Sequence, residues 1–299
     1  MKILYSRRLE GQDYQCDMVF HGLKSIPGLE ITDAPRLWYM YKNEFEPIGP
    51  NKLDQLYGLG FSLWGLLEDD VSIIRDDEVI KQRIINNYYD IVVLARIDCT
   101  VKEYEQLIFE HYPKEKIVII DGHDNGYIYP EHIPLINKGV YFKRELFNPN
   151  SVNPISFAIP REKCLTELPN KIRALSNVRP GDGYIHRTED AYYQDYAESL
   201  FGITYKKGGW DCMRHYEIMA NRCVPYFADL EMAPASVMTT LPKNLLLYIK
   251  HRVEQMGPDY FLPSNPGWTE YVDFENKLHS HFINNCTTDI LAQYMLSKV

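Results

Sequence analysis

The sequence predicts an α/β protein built of two Rossmann-like doubly wound units, the second one reduced, followed by a C-terminal helical tail. Two observations carry this reading. In the first half, three short apolar runs, Lys2 to Tyr5 (KILY), Asp90 to Ala95 (DIVVLA) and Lys116 to Ile120 (KIVII), alternate with helical patterns. Runs that stay apolar at successive positions suit strands covered on both faces, and strand alternating with helix implies a parallel sheet with right-handed crossovers. In the second half, Lys206 to Phe227 has basic residues, a glycine turn, a helix and an apolar strand in direct succession. That order sets a helix N-terminus at the edge of a sheet where ligands bind.

Taken in order, Met1 to Ser6 is a first strand and not a signal peptide, because Arg7, Arg8 and Glu10 follow at once. Leu53 to Glu68 carries a helical pattern interrupted by glycines. Asp76 to Asn87 is a clear helix with acids at its start, and Val101 to His111 is another. Gly139 to Lys143 and Ile155 to Ile159 add two strands, giving a first unit over residues 1–159. Pro160 to Pro180, polar and proline-bounded, is read as a linker with the first helix of a second unit over residues 160–270. Within it, Gly183 to His186 and Gly202 to Lys206 are read as strands flanking a helix over Asp190 to Leu200, and Asn244 to Ile249 as a strand or a helix start. Trp268 to Val299 is helical, and residues 271–299 are expected to brace the first unit.

Composition narrows the function. With 45% hydrophobic and 24% charged residues, the 299-residue chain is an ordinary globular one. The net charge of −9 is read as excluding nucleic acid, so a phosphate site has to be a local patch. Lys206, Lys207, Arg214 and Arg222 supply one. No run approaches 18 apolar residues, so no transmembrane segment is expected, and only peripheral membrane contact is left open. Six cysteines without C-x-x-C spacing suit reduced thiols and a cytoplasmic protein, and offer no zinc motif. The acid pairs Asp69-Asp70 and Asp76-Asp77 precede or start helices, where carboxylates favour the dipole, so no metal or other cofactor is expected.

In the stretch 206–227, Gly208 and Gly209 let the backbone approach a ligand, and Asp211 is the expected N-cap of a helix whose free amides favour a phosphate. Lys206 and Lys207 add charge. Arg214, Glu217 and Asn221 share one stripe of that helix, while Met213, Tyr216 and Ala220 form the apolar one beside it. An isolated Arg214–Glu217 pair would be a surface contact of about 0.2–0.5 kcal/mol. The apolar run Cys223 to Phe227, directly after the helix, favours a binding site instead.

Helix-borne R-x-x-E followed by a small residue and a proline-bearing strand resembles the C-terminal half of GT-B glycosyltransferases. The longer string K-G-G-W-D-C-x-R-H-Y-E is similar to a family-1-like and exostosin-like group of sugar transferases of bacteria and large viruses. The resemblance spans about residues 184 to 243. It implies a GT-B-like fold, a nucleotide-sugar donor, Glu217 on the ribose hydroxyls, and Gly208, Gly209 and Arg214 near the diphosphate. Gly209 stands eight positions before Glu217, where retaining members often carry a second glutamate, so the stereochemical outcome stays open.

Sheets of this type bind ligands beyond the carboxyl ends of their strands, which selects Ser6 to Asp13, Arg96 to Asp98 and Asp121 to Asp124. Transfer to a hydroxyl with inversion needs a base, and His123, Asp124 and Asp13 are the catalytic candidates, with Asp98 behind them. His123 and Asp124 rank first for titration range; the competing reading makes Asp121 and Asp124 turn caps and His123 a solvated residue. Arg187, after the expected strand 183–186, is placed toward the diphosphate. Gly58 to Gly65 follows no strand, so it is no dinucleotide fingerprint, and it is assigned to the acceptor side. The function expected is transfer of a hexosyl or pentosyl group to a glycan or polysaccharide hydroxyl. The alternatives are a non-catalytic nucleotide- or phosphosugar-binding module and a nucleotide-sugar epimerase.

Overall fold

The computed structural model describes residues 1–7, 12–45, 57–97, 101–148 and 152–299. Its first unit is a parallel sheet of β1 (Lys2–Ser6), β2 (Glu30–Ala34), β3 (Ile91–Leu94), β4 (Ile117–Asp121), β5 (Val140–Lys143) and β6 (Asn153–Pro154), in the order β2-β1-β3-β4-β5-β6. Register is set by pairs such as Ile3↔Ile31, Ile3↔Ile91 and Ile119↔Tyr141. The apolar runs are continuous because both sheet faces are covered. Ile3, Tyr5, Val93, Val118 and Ile120 point to a core that includes Val19, Phe20 and Leu23 of α1 (Tyr14–Ser25). Their neighbours Leu4, Val92, Leu94, Ile117 and Ile119 point to a second core. That one is closed by Ile80 and Ile84 of α2 (Asp77–Ile85) and Tyr104 and Ile108 of α3 (Lys102–His111). Asp13 and Asp76 cap α1 and α2 by accepting from the amides of Cys16 and Val79.

The second unit has a parallel three-stranded sheet in the order β7 (Arg173–Leu175), β8 (Ser199–Thr204), β9 (Val224–Phe227), with α4 (Glu189–Ala197) and α5 (Met213–Ala220) between them. Three helices follow: α6 (Lys243–Met256), α7 (Trp268–Asn285) and α8 (Thr288–Leu296). The chain then returns to the first unit. Ile159 bridges Thr287, the His21 imidazole meets the Thr288 hydroxyl at 2.9 Å, and Gly22 admits the Thr288 carbonyl where any side chain would collide. The arrangement is GT-B-like, two Rossmann-like units with the second reduced and a helical tail.

Several local expectations are corrected. Gly183 to His186 is not a strand; β7 lies earlier, inside the span read as linker and helix. Asn244 to Ile249 belongs to α6, and the last strand of the first sheet is Asn153–Pro154, with Ile155 to Ile159 outside it. Leu53 to Leu56 lie outside the described residues, and the rest of the expected helix 53–68 is a short 3-10 turn followed by further turns. Gly58, Leu59, Gly60, Ser62 and Gly65 all have positive φ there, which no right-handed α-helix accommodates.

Candidate active site

A cleft of about 560 Å³ lies between the two sheets. The first unit lines it with Asp13, Gly122, Asp124, Arg144 and Phe157; the second lines it with Lys207, Gly208, Gly209, Asp211, Arg214 and Glu217. All of the first-unit residues follow a strand's carboxyl end or lie in the next connection, as a parallel sheet requires.

The basic stretch folds as a turn leading into α5. The Lys207 amide donates to the Gly209 carbonyl at 3.2 Å. Gly208 lies against the Asp124 carboxylate, and a Cβ on Gly209 would stand 2.6 Å from Glu145 Oε1 and 2.9 Å from Arg144 Nη1. Gly209 is therefore required by close approach of the buried Arg144 and Glu145, whereas the contact at Gly208 is with the end of the exposed Asp124 side chain. Lys206 lies outside the cleft lining, its ammonium folded back on the carbonyls of Lys207 and Gly208 at 3.3 Å each.

The N-cap position of α5 is Cys212, not Asp211. Asp211 is buried one residue earlier, where its carboxylate accepts from the Phe157 amide at 2.7 Å and its own amide donates to Glu145 at 2.8 Å. It ties the units together. Burial pushes its pKa up to about 6, against the pull of Arg144 and the Phe157 amide. A carboxyl whose folded value is raised adds stability below its unfolded value, and that contribution is lost as pH rises through about 6. Asp211→Asn should therefore remove about 2 kcal/mol of the stability difference between pH 4 and pH 7.5, read as the wild-type minus variant slope in urea melts. Parallel pH profiles for the two proteins would contradict it.

Arg214, in the first turn of α5, faces the cleft, and its Nη1 is buried with no hydrogen-bond acceptor among the described residues. Glu217 lines the same wall at 6% exposure. Its Oε1 accepts from the Ser62 hydroxyl at 2.5 Å and its Oε2 from the Tyr192 hydroxyl at 2.6 Å. Burial raises its pKa, opposed by those two donors and by Arg214. Met213, Tyr216 and Ala220 point into the core.

On the first unit, Asp124 and Asp13 reach the cleft but His123 does not. The His123 ring turns to Asp121, Nδ1 to Oδ1 at 2.9 Å, and packs near Tyr129 and His132. It is therefore not placed as a base toward this cleft. Asp121, His123 and His132 cluster closely enough to resemble a metal site, yet the Lys143 ammonium stands 3.3 Å from Asp121 and donates to the His123 carbonyl at 2.7 Å. The positive charge at that carboxylate comes from lysine. Burial disfavours the Asp121 carboxylate, but His123, Lys143 and Tyr141 hold its pKa below the ordinary value. Asp98 lies outside the described residues. Arg187 is exposed and outside the cleft lining, since the strand expected to aim it does not form.

Residues that sequence reasoning missed carry much of the geometry. Arg144 follows β5, so the strand-end rule applied to Gly139 to Lys143 would have found it. It is ion-paired with Asp124, donates to the Gly122 carbonyl at 2.9 Å and reaches the Asp211 carbonyl at 2.7 Å. Ser62 and Tyr192 had no local signal; the segment assigned to the acceptor side instead meets Glu217.

No protein-family model and no curated protein sequence matches the chain. Solved structures do. An alpha-glucosyltransferase in complex with UDP and a 13-mer DNA containing a HMU base aligns at TM-score 0.50 and 10% identity, over 99% of this chain and 98% of that one. Another, with UDP and a 13-mer DNA containing a central A:G mismatch, aligns at TM-score 0.48 and 11% identity over the same shares. At such identity the likeness is one of fold. It also overturns the exclusion of nucleic acid drawn from net charge, because the structure aligned at TM-score 0.50 holds DNA alongside UDP. Net charge averages over a surface, whereas a partner meets a local field; the second-unit wall of this cleft carries Arg179, Lys207 and Arg214. Among the described residues, no helix is long and apolar enough to cross a membrane.

Proposed function

We propose that the protein is a glycosyltransferase that moves a sugar from a nucleoside-diphosphate sugar to a hydroxyl acceptor. The observation that carries the reading is the buried Arg214 Nη1, without an acceptor, in an interdomain cleft beside the Gly208–Gly209 turn and the N-terminus of α5. A buried donor lacking a partner is costly, and the oxygen of a diphosphate would satisfy it. Lys207 lies on the same wall, and the amide end of α5 adds a field of the same sign. Glu217, one turn along, is the ribose acceptor in this reading. Asp13 and Asp124 on the opposite wall are the base candidates for the acceptor hydroxyl, with Asp124 held by Arg144. Donor binding calls on no metal in this reading, since guanidinium, ammonium and amide groups take the diphosphate charge.

A melting-temperature panel of UDP, GDP, ADP, CDP and TDP tests the donor half, because a ligand at a hundred times its Kd stabilises the fold by about 2.7 kcal/mol. The favoured nucleotide's sugar conjugates are then supplied with oligosaccharide and DNA acceptors in separate arms, and the products analysed by mass. A product in either arm supports transfer and identifies the acceptor. Stabilisation by a nucleotide with no product in any arm favours the non-catalytic binding module, and donor conversion without acceptor favours an epimerase. A panel with no shift removes the donor site.

A further inference from the structure

Residues 58–65 belong to the first unit in chain order, yet they lie against the donor wall of the second. The Gly58 amide donates to the Tyr184 hydroxyl at 3.2 Å, and the Phe61 ring packs on Tyr192 with centroids 5.7 Å apart. Ser62, 1% exposed, makes three contacts with the second unit. Its amide donates to Glu189 Oε1 at 2.7 Å, its hydroxyl donates to Glu217 Oε1 at 2.5 Å, and the same oxygen accepts from the Tyr193 hydroxyl at 2.7 Å. The backbone is shaped to deliver that hydroxyl: Ser62 itself has φ 74° and Leu59 φ 58°, values that non-glycine residues hold only where the surroundings over-determine them.

We propose that Ser62 is a positioning residue for donor binding, orienting Glu217 as an ionised acceptor, so that a site borne by the second unit is complete only when the strap from the first is seated on it. The inference rests on the reading of Glu217 as the ribose ligand. Glu217 is buried among groups with opposing effects. Ser62, Tyr192 and Arg214 favour its carboxylate, and burial and Glu189 oppose it. Among the described residues, Tyr193 and Tyr196 of α4 and Cys212 before α5 are its further titratable neighbours. Once protonated, the carboxyl loses the charge that makes it a strong acceptor for ribose hydroxyls. Nucleotide affinity should hold above the Glu217 pKa and fall as pH drops through it. Losing the Ser62 donor moves that fall to higher pH.

The test is calorimetric titration of UDP into the full-length wild type, Ser62→Ala and Ser62→Gly between pH 5 and 8. Glycine takes φ 74° without strain, so the second variant separates the hydroxyl from the backbone conformation. Both variants should bind within a few-fold of wild type at pH 8 and lose affinity about one pH unit earlier, roughly tenfold weaker on the acid flank. Coincident pH profiles would overturn the proposal, as would tighter binding by both variants at every pH, which would make Ser62 a plug on Glu217. If the wild type itself binds no UDP at any pH, it is the donor-site reading that fails, and this inference falls with it.

Discussion

Arg214→Ala is expected to weaken binding of a nucleoside diphosphate by about 10- to 100-fold while leaving the parent nucleoside nearly unaffected, the loss of a charge-assisted hydrogen bond made only to phosphate. The guanidinium sits in the first turn of α5, and its pKa is raised because Cys212, Tyr192, Tyr196 and Glu217 outweigh burial, which acts against the charge. It therefore stays charged, with Nη1 turned away from solvent and unmatched by any acceptor among the described residues. Arg214→Lys should recover only part of the loss, because an ammonium keeps the charge but not the planar fork. Calorimetric titration of each protein with the diphosphate and with the nucleoside checks this. Equal losses for both ligands would show that Arg214 supports the shape of the wall and does not meet phosphate.

Asp17→Ala should be among the most destabilising single changes, at about 3–5 kcal/mol, because it removes a fully buried carboxylate that pairs with a fully buried guanidinium. Arg7 and Asp17 are both 0% exposed and meet at 2.6 Å. Tyr39 closes the group, accepting from Arg7 Nη2 at 2.6 Å and donating to Asp17 at 2.8 Å, and the Trp64 indole donates to Asp17 at 3.0 Å. Combining Asp17→Ala with Arg7→Met should restore part of the stability, since removing both members of a buried ion pair costs less than removing one. Urea midpoints at unchanged m-value measure this directly. A double variant less stable than Asp17→Ala would mean that the arginine is held by groups other than Asp17. The cluster stands at the carboxyl end of β1, so its loss should also loosen the wall that carries Asp13.

What was legible in the sequence follows from local rules. Ile91 to Ala95 and Ile117 to Ile120 announce doubly covered strands because successive residues are apolar when helices sit on both faces, and the structure sends alternate residues to two separate cores. The glycine turn, α5 and β9 are contiguous, so Gly208, Gly209, Arg214 and Glu217 come together on one wall through chain connectivity alone. Local rules failed where a residue's role depends on a distant partner. Asp211 has the composition of an N-cap, but the Phe157 amide draws its side chain away from the helix. His123 is a residue type that serves as a general base, but Asp121 and the rings of Tyr129 and His132 hold it off the cleft. Gly58 to Gly65 looks like an interrupted helix, and only the contacts of Ser62 with Glu189 and Glu217 explain its left-handed residues.

The sequence by itself determined a parallel α/β architecture and the contiguous glycine-and-basic stretch that lines one wall of the cleft from Lys207 to Glu217, since periodicity, glycine placement and charge act over a few residues. Only the tertiary structure decided which acids face that wall and what closes it. Arg144 draws Asp124 to the Gly208 turn, and Ser62 crosses from the first unit to Glu217, by contacts spanning 20 and 155 residues of chain. No local pattern encodes such contacts: the first depends on β4 and β5 lying side by side, the second on how the two sheets dock.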